Sequence, residues 1–232
     1  MKASILALFL AISLMSFAQQ ENMNLPNYDD HKWHFGFGFG ITKPMAKLQS
    51  PSLSAEIDNW FGFSINLIAD YNLNNRMSLR FSPGMSYNDR KMYYYATDTV
   101  ANIHKVGQTL YATDLDFPIE LKIKAKRKNN MQPFLLFGGQ YSCNVAEQGT
   151  QQVSTILDYL QTPISLETNN WSATGGIGVD LYRKQFKMSC ILRYVHGLNN
   201  VRIEDSNVLT PFEKMYLRNV VFTITFENAF SN

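Results

Sequence analysis

Trp33-His34-Phe35-Gly36-Phe37-Gly38-Phe39-Gly40-Ile41 carries a bulky apolar residue at every odd position and histidine or glycine at every even one. A period of two sends these sets to opposite faces of an extended strand, whereas a helical period of 3.6 would mix them. One face is wholly apolar and the other nearly empty, so the two faces meet different surroundings.

The pattern recurs. Over 61–71 the apolar set is Phe61, Phe63, Ile65, Leu67, Ala69 and Tyr71, and over 76–88 it is Met77, Leu79, Phe81, Met85 and Tyr87. Over 111–124, Tyr111, Leu115, Phe117, Ile119, Leu121 and Ile123 alternate with Asp114, Asp116, Glu120, Lys122 and Lys124. Segments 131–145, 171–182, 186–197 and 216–228 follow suit, the first less cleanly because Phe134 and Leu136 occupy its polar face. Eight such segments in a row predict an all-β chain whose sheet closes on itself, since closure removes the exposed edges of a long open sheet.

The connections alternate in length. Residues 72–75, 126–130 and 183–185 make short turns, while 42–59, 89–110, 146–170 and 198–215 are loops of eighteen residues or more. Short turns on one rim and long loops on the other suit an eight-stranded antiparallel up-and-down transmembrane β-barrel of the outer-membrane type. Alternation alone leaves a soluble, lipocalin-like barrel open, with the apolar face inward. Three features favour lipid outside. The strands match or exceed the roughly 9–11 residues a spanning strand needs. Trp33, Tyr71 and Phe186 fall at one rim and Tyr87, Tyr111, Trp171 and Tyr194 at the other, as two aromatic girdles. Gly36, Gly38 and Gly40 suit a crowded interior better than a solvent face.

With the apolar face outward, the charges line the lumen. Arg76, Arg80, Lys122, Lys124, Lys187 and Arg193 oppose Asp70, Asp114, Asp116, Glu120, Asp180 and Glu227, six against six. An eight-stranded interior is just wide enough for side chains to fill, so this set is expected to pair as an ion network and close the lumen. Asp114 and Asp116 have the spacing of an acid–base pair, but with Lys122 and Lys124 on their face they read as part of that network.

The ends of the chain and its composition complete the picture. Met1-Lys2, an uncharged apolar run from Ala3 to Met15 and Ser16-Phe17-Ala18 form an export signal, with cleavage expected after Ala18. The expected organisation is a signal peptide over 1–18, a periplasmic N-terminal segment over 19–32 and a barrel over 33–232. With 21 Lys and Arg against 19 Asp and Glu, no charge excess points to nucleic acid. Only Cys143 and Cys190 are present, so disulfides do not organise the fold. His31, His34, His104 and His196 lack metal-ligand spacing. There is no nucleophile elbow and no phosphate-binding glycine loop, since no helix pattern follows Gly36 to Gly40. No enzyme activity, cofactor or small-molecule substrate is expected. Tyr93-Tyr94-Tyr95 in the second long loop reads as an aromatic rim at the outer leaflet, with a recognition patch as the other reading.

Several motifs carry a family resemblance. Leu115-Asp116-Phe117-Pro118 is followed by Leu121-Lys122, by the basic turn Lys126-Arg127-Lys128-Asn129-Asn130, and then by Pro133-Phe134 and Gly138-Gly139. Leu79-Arg80-Phe81 precedes Pro83-Gly84-Met85-Ser86 and Arg90, His34-Phe35-Gly36-Phe37 opens the first strand, and Gly197-Leu198-Asn199-Asn200 ends the seventh. Across nearly all of the mature chain these segments resemble the PorT family of outer-membrane barrels. The resemblance implies a role in the type IX secretion system, which exports proteases, adhesins and gliding-motility proteins across the outer membrane. It implies a barrel that is required for export without being the conduit, and it supplies no catalytic residues. Implied partners are outer-membrane lipid and other type IX secretion components, with long loops outside the cell and short turns in the periplasm. The competing classes are a generic small barrel, structural, adhesive or passively porin-like, and a soluble periplasmic binder of an apolar ligand.

Overall fold

The computed structural model describes residues 23–49, 56–97, 103–110, 112–146, 153–154, 167–201 and 214–228. The expected signal peptide and the girdle residue Tyr111 lie outside them. After a single 3-10 turn, Tyr28–Asp30, every element is a strand: β1 Trp33–Gln49, β2 Glu56–Asn59, β3 Gly62–Asn74, β4 Met77–Phe81, β5 Gly84–Tyr87, β6 Arg90–Thr97, β7 Ile103–Leu110, β8 Thr113–Lys124, β9 Met131–Asn144, β10 Val153–Ser154, β11 Asn169–Tyr182, β12 Phe186–Gly197 and β13 Lys214–Asn228.

Nine of these form one antiparallel sheet that closes where β1 pairs with both β13 and β3. The staves number eight, because β4 and β5 are successive halves of one strand that both pair with β3 and β8. Pro83 accounts for the interruption, since it has no amide hydrogen to give to the ladder. Leu67 still donates to the Pro83 carbonyl at 2.8 Å, and Ser82 to that of Pro118 at 3.2 Å, so the wall stays closed.

Burial decides which face is outside. Along β1, Phe35, Phe37, Phe39 and Ile41 are exposed, while Lys122 and Asp180 on other staves have no exposed surface. The apolar rows face outward and the charges inward, the arrangement of a barrel set in lipid. This removes the soluble, lipocalin-like reading.

The long connections differ from the expected loops. β1 continues to Gln49, and β6 and β7 form a hairpin inside the stretch 89–110. With β2 and β10 they make a second, four-stranded sheet, ordered β10-β7-β6-β2, beyond the long-loop rim. Tyr93 lies on β6 within this sheet rather than in an irregular loop.

Candidate functional site in the barrel lumen

Six of the sequence-derived lumen residues form one connected cluster near the short-turn end. The Arg80 guanidinium donates to both oxygens of Asp70 at 2.7 Å and to Glu227 at 2.6 Å. Glu227 also meets Lys187 at 2.5 Å; Lys187 lies 4.0 Å from Asp180, and Asp180 holds Lys122 at 2.7 Å. All six side chains are essentially buried. Six of the eight staves contribute one residue each, because inward positions recur every second residue, and the register sets Asp70 beside Arg80 and Lys187 beside Glu227. Arg193 and Glu120 make a separate pair at 3.3 Å, one turn of side chains higher.

The remaining members go elsewhere. Lys124 pairs with Asp29 at 2.7 Å and bonds the Asn72 side chain at 3.1 Å, so its carboxylate partner comes from the N-terminal segment. Asp116 has no ion pair among the described residues. It accepts hydrogen bonds from Ser86, Ser142 and Gln140 at 2.6, 2.7 and 2.8 Å. Asp114 likewise accepts from Asn88 at 3.2 Å. Both carboxylates thus belong to a polar hydrogen-bond network in the lumen. Arg76 departs from its expected place: it is exposed in the β3–β4 turn, just outside the start of β4, where the rim is open to solvent.

Phe134 and Leu136, which broke the alternation in sequence, do point inward. With Ile191 they form a small apolar cluster in the lumen, and the Lys122 ammonium sits 4.0 Å above the Phe134 ring. Face-on contact of this kind partly offsets the loss of water around a buried ammonium.

The short-turn mouth is closed by the N-terminal segment. Tyr28 is buried, stacks on His34 at 4.0 Å with ring planes 11° apart, meets Tyr182 edge-on at 5.6 Å and donates to Glu227 at 3.3 Å. Burial drives its phenol well above the usual tyrosine range, so it stays a neutral donor to that carboxylate. Around it, the Asn24 amide donates to Asn130 at 2.8 Å, and Arg127 donates to the carbonyls of Asn24 and Leu25. The expected periplasmic segment is therefore seated in the barrel mouth over 24–31. Neither Tyr28 nor Asp29 was legible as a lumen residue, because an isolated side chain in a polar segment has no period to read.

The long-loop half of the lumen is polar and less tightly filled. A cavity of about 30 Å³ is lined by Ser64, Asn66, Ser82, Asp116, Gln140 and Arg193 among others, and one of about 20 Å³ by Arg90, Asp114, Asn170 and Ser172 among others. These are spaces for one or two water molecules. Ser82 Oγ and Arg193 Nε in the first, and Arg90 Nε in the second, have no hydrogen-bond partner among the described residues, and a water in these spaces would satisfy them. Arg90 is buried on β6 and held by Asn219 at 3.0 Å; the sequence offers no alternation over 89–110, so nothing there marks it as a lumen residue.

A profile of the family described as "Outer membrane protein beta-barrel domain" matches residues 17–202. Curated protein sequences give no match. Among solved structures, the chain is similar to the outer membrane protein OprG from Pseudomonas aeruginosa, with 13% identity and a TM-score of 0.50 over 87% of this chain and 98% of that one. It is also similar to Neisserial surface protein A, with 13% identity and a TM-score of 0.49 over 85% and 97% of the two chains. A third similar structure is the outer membrane protein AlkL in lipid bilayers, with 11% identity and a TM-score of 0.44 over 93% and 95%.

Proposed function

This chain belongs to the outer membrane protein beta-barrel domain family and is a small outer-membrane barrel, and from that premise we propose that it serves protein export by the type IX secretion system as a non-enzymatic component. The observation that carries the reading is the filled lumen. Arg80, Glu227, Lys187, Asp180 and Lys122 cross it side by side, and Tyr28 covers one mouth. Such a barrel suits a component that acts through its surfaces while another protein conducts the cargo. The segments Leu115-Asp116-Phe117-Pro118 and Lys126-Arg127-Lys128-Asn129-Asn130, which resemble the PorT family, add the specific direction. In this reading the long loops face the outside of the cell and the short turns the periplasm.

Deleting the gene and measuring secretion of type IX cargo tests the proposal. Cargo should accumulate inside the cells, and the wild-type gene should restore export. Normal export in the deletion would refute it. The second reading is a generic small barrel with a structural or adhesive role, favoured by the four-stranded sheet that stands beyond the long-loop rim. A passive porin is a version of that reading which steady currents in planar bilayers would support. Orientation is checked with introduced cysteines: Gln108→Cys should react with an impermeant maleimide on whole cells and Asn129→Cys should not.

A further inference from the structure

The short-turn end of the barrel is basic, although the whole chain carries a net charge of only +2. At the short-turn rim every quarter of the circumference carries an exposed cation. Lys32 stands before β1, Arg76 in the β3–β4 turn, Lys126 and Lys128 in the β8–β9 turn, and Arg183 and Lys184 in the β11–β12 turn. Among the described residues, none of these six has a carboxylate within salt-bridge distance. Asp29, the nearby acid, is already paired with Lys124, which leaves Asp30 as the exposed carboxylate at this end.

The cations are held on rigid backbone. Asn129 takes the left-handed conformation, at φ 53°, that lets its turn close tightly. Arg127, the one cation of that turn that faces inward, packs 3.6 Å from the centre of the Tyr182 ring and bonds Asn129 and Leu25 carbonyls at 2.9 and 3.0 Å. Tyr182 in turn donates its amide to Asn130 at 2.9 Å, so the turns that bear Lys126, Lys128, Arg183 and Lys184 lie side by side.

The level of this ring is set by the aromatics next to it. Trp33 follows Lys32 directly and packs on Tyr71 at 4.7 Å, while Phe186 lies two residues beyond Lys184 and packs on Phe226 at 5.9 Å. An aromatic belt marks the headgroup level of a bilayer, so the cations lie at the plane of the lipid phosphates.

We propose that this rim is a binding surface for anionic phospholipid headgroups of the leaflet it borders, with the densest arc formed by Lys126, Lys128, Arg183 and Lys184. Lipid fits better than an acidic protein. The cations encircle the barrel instead of gathering on one side, and they ride on short turns at headgroup depth. What surrounds a barrel on all sides at that depth is lipid. The proposal is independent of any role in export.

The test uses the full mature barrel in phosphatidylcholine vesicles containing a minor fraction of phosphatidylglycerol, with spin-labelled forms of each lipid compared by electron paramagnetic resonance. The motionally restricted shell should favour phosphatidylglycerol over phosphatidylcholine by roughly fivefold, the worth of one cation near an anionic surface, and added salt should erode that preference. The quadruple variant Lys126→Gln, Lys128→Gln, Arg183→Gln, Lys184→Gln should lose most of the preference. Lys43→Gln with Lys47→Gln at the opposite rim should keep it. Heat-modifiable migration checks that each variant is folded, and the wild-type salt titration stands as a second measurement that needs no variant. Equal affinity for the two lipids in the wild type, or an unchanged preference in the quadruple variant, overturns the proposal. So does a wild type without lipid preference whose quadruple variant loses a cross-link to a periplasmic protein, which would assign the rim to an acidic protein partner.

Discussion

Arg80 on β4 and Glu227 near the end of β13 meet at 2.6 Å across the lumen, although 147 residues separate them in the chain. The same guanidinium is the ionic partner of Asp70, so Arg80→Ala strips that carboxylate of its counter-charge and leaves Glu227 to Lys187. Removing one member of a buried ionic group costs about 3–5 kcal/mol. The variant should therefore lose its compact, heat-modifiable form at a much lower temperature than wild type. Leu79→Ala, one residue away but on the lipid-facing side, is the reference and should shift that temperature little. Equal shifts would mean that the network does not hold the barrel together.

Asp116 should behave differently from Arg80. It is satisfied by Ser86, Ser142 and Gln140 rather than by a cation, and it borders a water-sized cavity. Asp116→Asn keeps the shape and one acceptor oxygen, which can still serve Ser142 and Gln140, and its loss should be about 1–2 kcal/mol, the scale of a rearranged hydrogen bond. Thermal denaturation of the two variants side by side measures the contrast.

Tyr28 can be dissected by size. Tyr28→Phe keeps the ring between His34 and Tyr182 and gives up only the 3.3 Å hydrogen bond to Glu227, so its cost should be about 1 kcal/mol. Tyr28→Ala empties the mouth, at a cost of about 3–5 kcal/mol if the segment stays seated. Limited proteolysis should then cut within 24–31 faster in the alanine variant while the phenylalanine variant stays protected.

Gly138 and Gly139 are adjacent and should respond in opposite ways. A Cβ at Gly138 would lie 2.1 Å from the Ile119 carbonyl oxygen and 2.7 Å from the Glu120 Cα, both backbone atoms of the paired strand. At Gly139 the nearest atom would be 3.8 Å away. Gly138→Ala should therefore sharply reduce the yield of folded barrel and Gly139→Ala should not, read as the heat-modifiable fraction after refolding.

Cys143 on β9 and Cys190 on β12 are free thiols, with β11 between their strands. Two strand spacings are about 9–10 Å, beyond the roughly 7 Å that a disulfide tolerates between Cα atoms. Electrophoresis with and without reductant should give identical mobility.

How far the sequence carried the fold follows from where the hydrophobic period is visible. From Trp33 to Ile41 one face meets lipid and the other a packed lumen, so alternation is strong and the side of every residue is legible. Past Thr42 the same strand runs on to Gln49 with Lys43 and Lys47 in its exposed row. Outside the bilayer both faces tolerate polar residues, so the period fades although the ladder continues. The β6–β7 hairpin and Arg90 were hidden for the same reason. Arg76 has the inward parity but lies in the turn just outside β4, and parity does not tell where a strand stops. Lys124 was placed in the lumen by its parity, yet nothing in the sequence pairs it with Asp29, because a contact made by an irregular segment leaves no periodic trace.

The seat of Tyr28 also bears on the order of assembly. Its stacking partner His34 belongs to the first stave and its hydrogen-bond partner Glu227 to the last, and these two staves meet only where the sheet closes. Until that seam forms, the site that receives the ring does not exist. The N-terminal segment thus distinguishes a finished barrel from an unfinished one. A chain with its seam open lacks the seat for Tyr28, and a chain with its seam closed buries the ring.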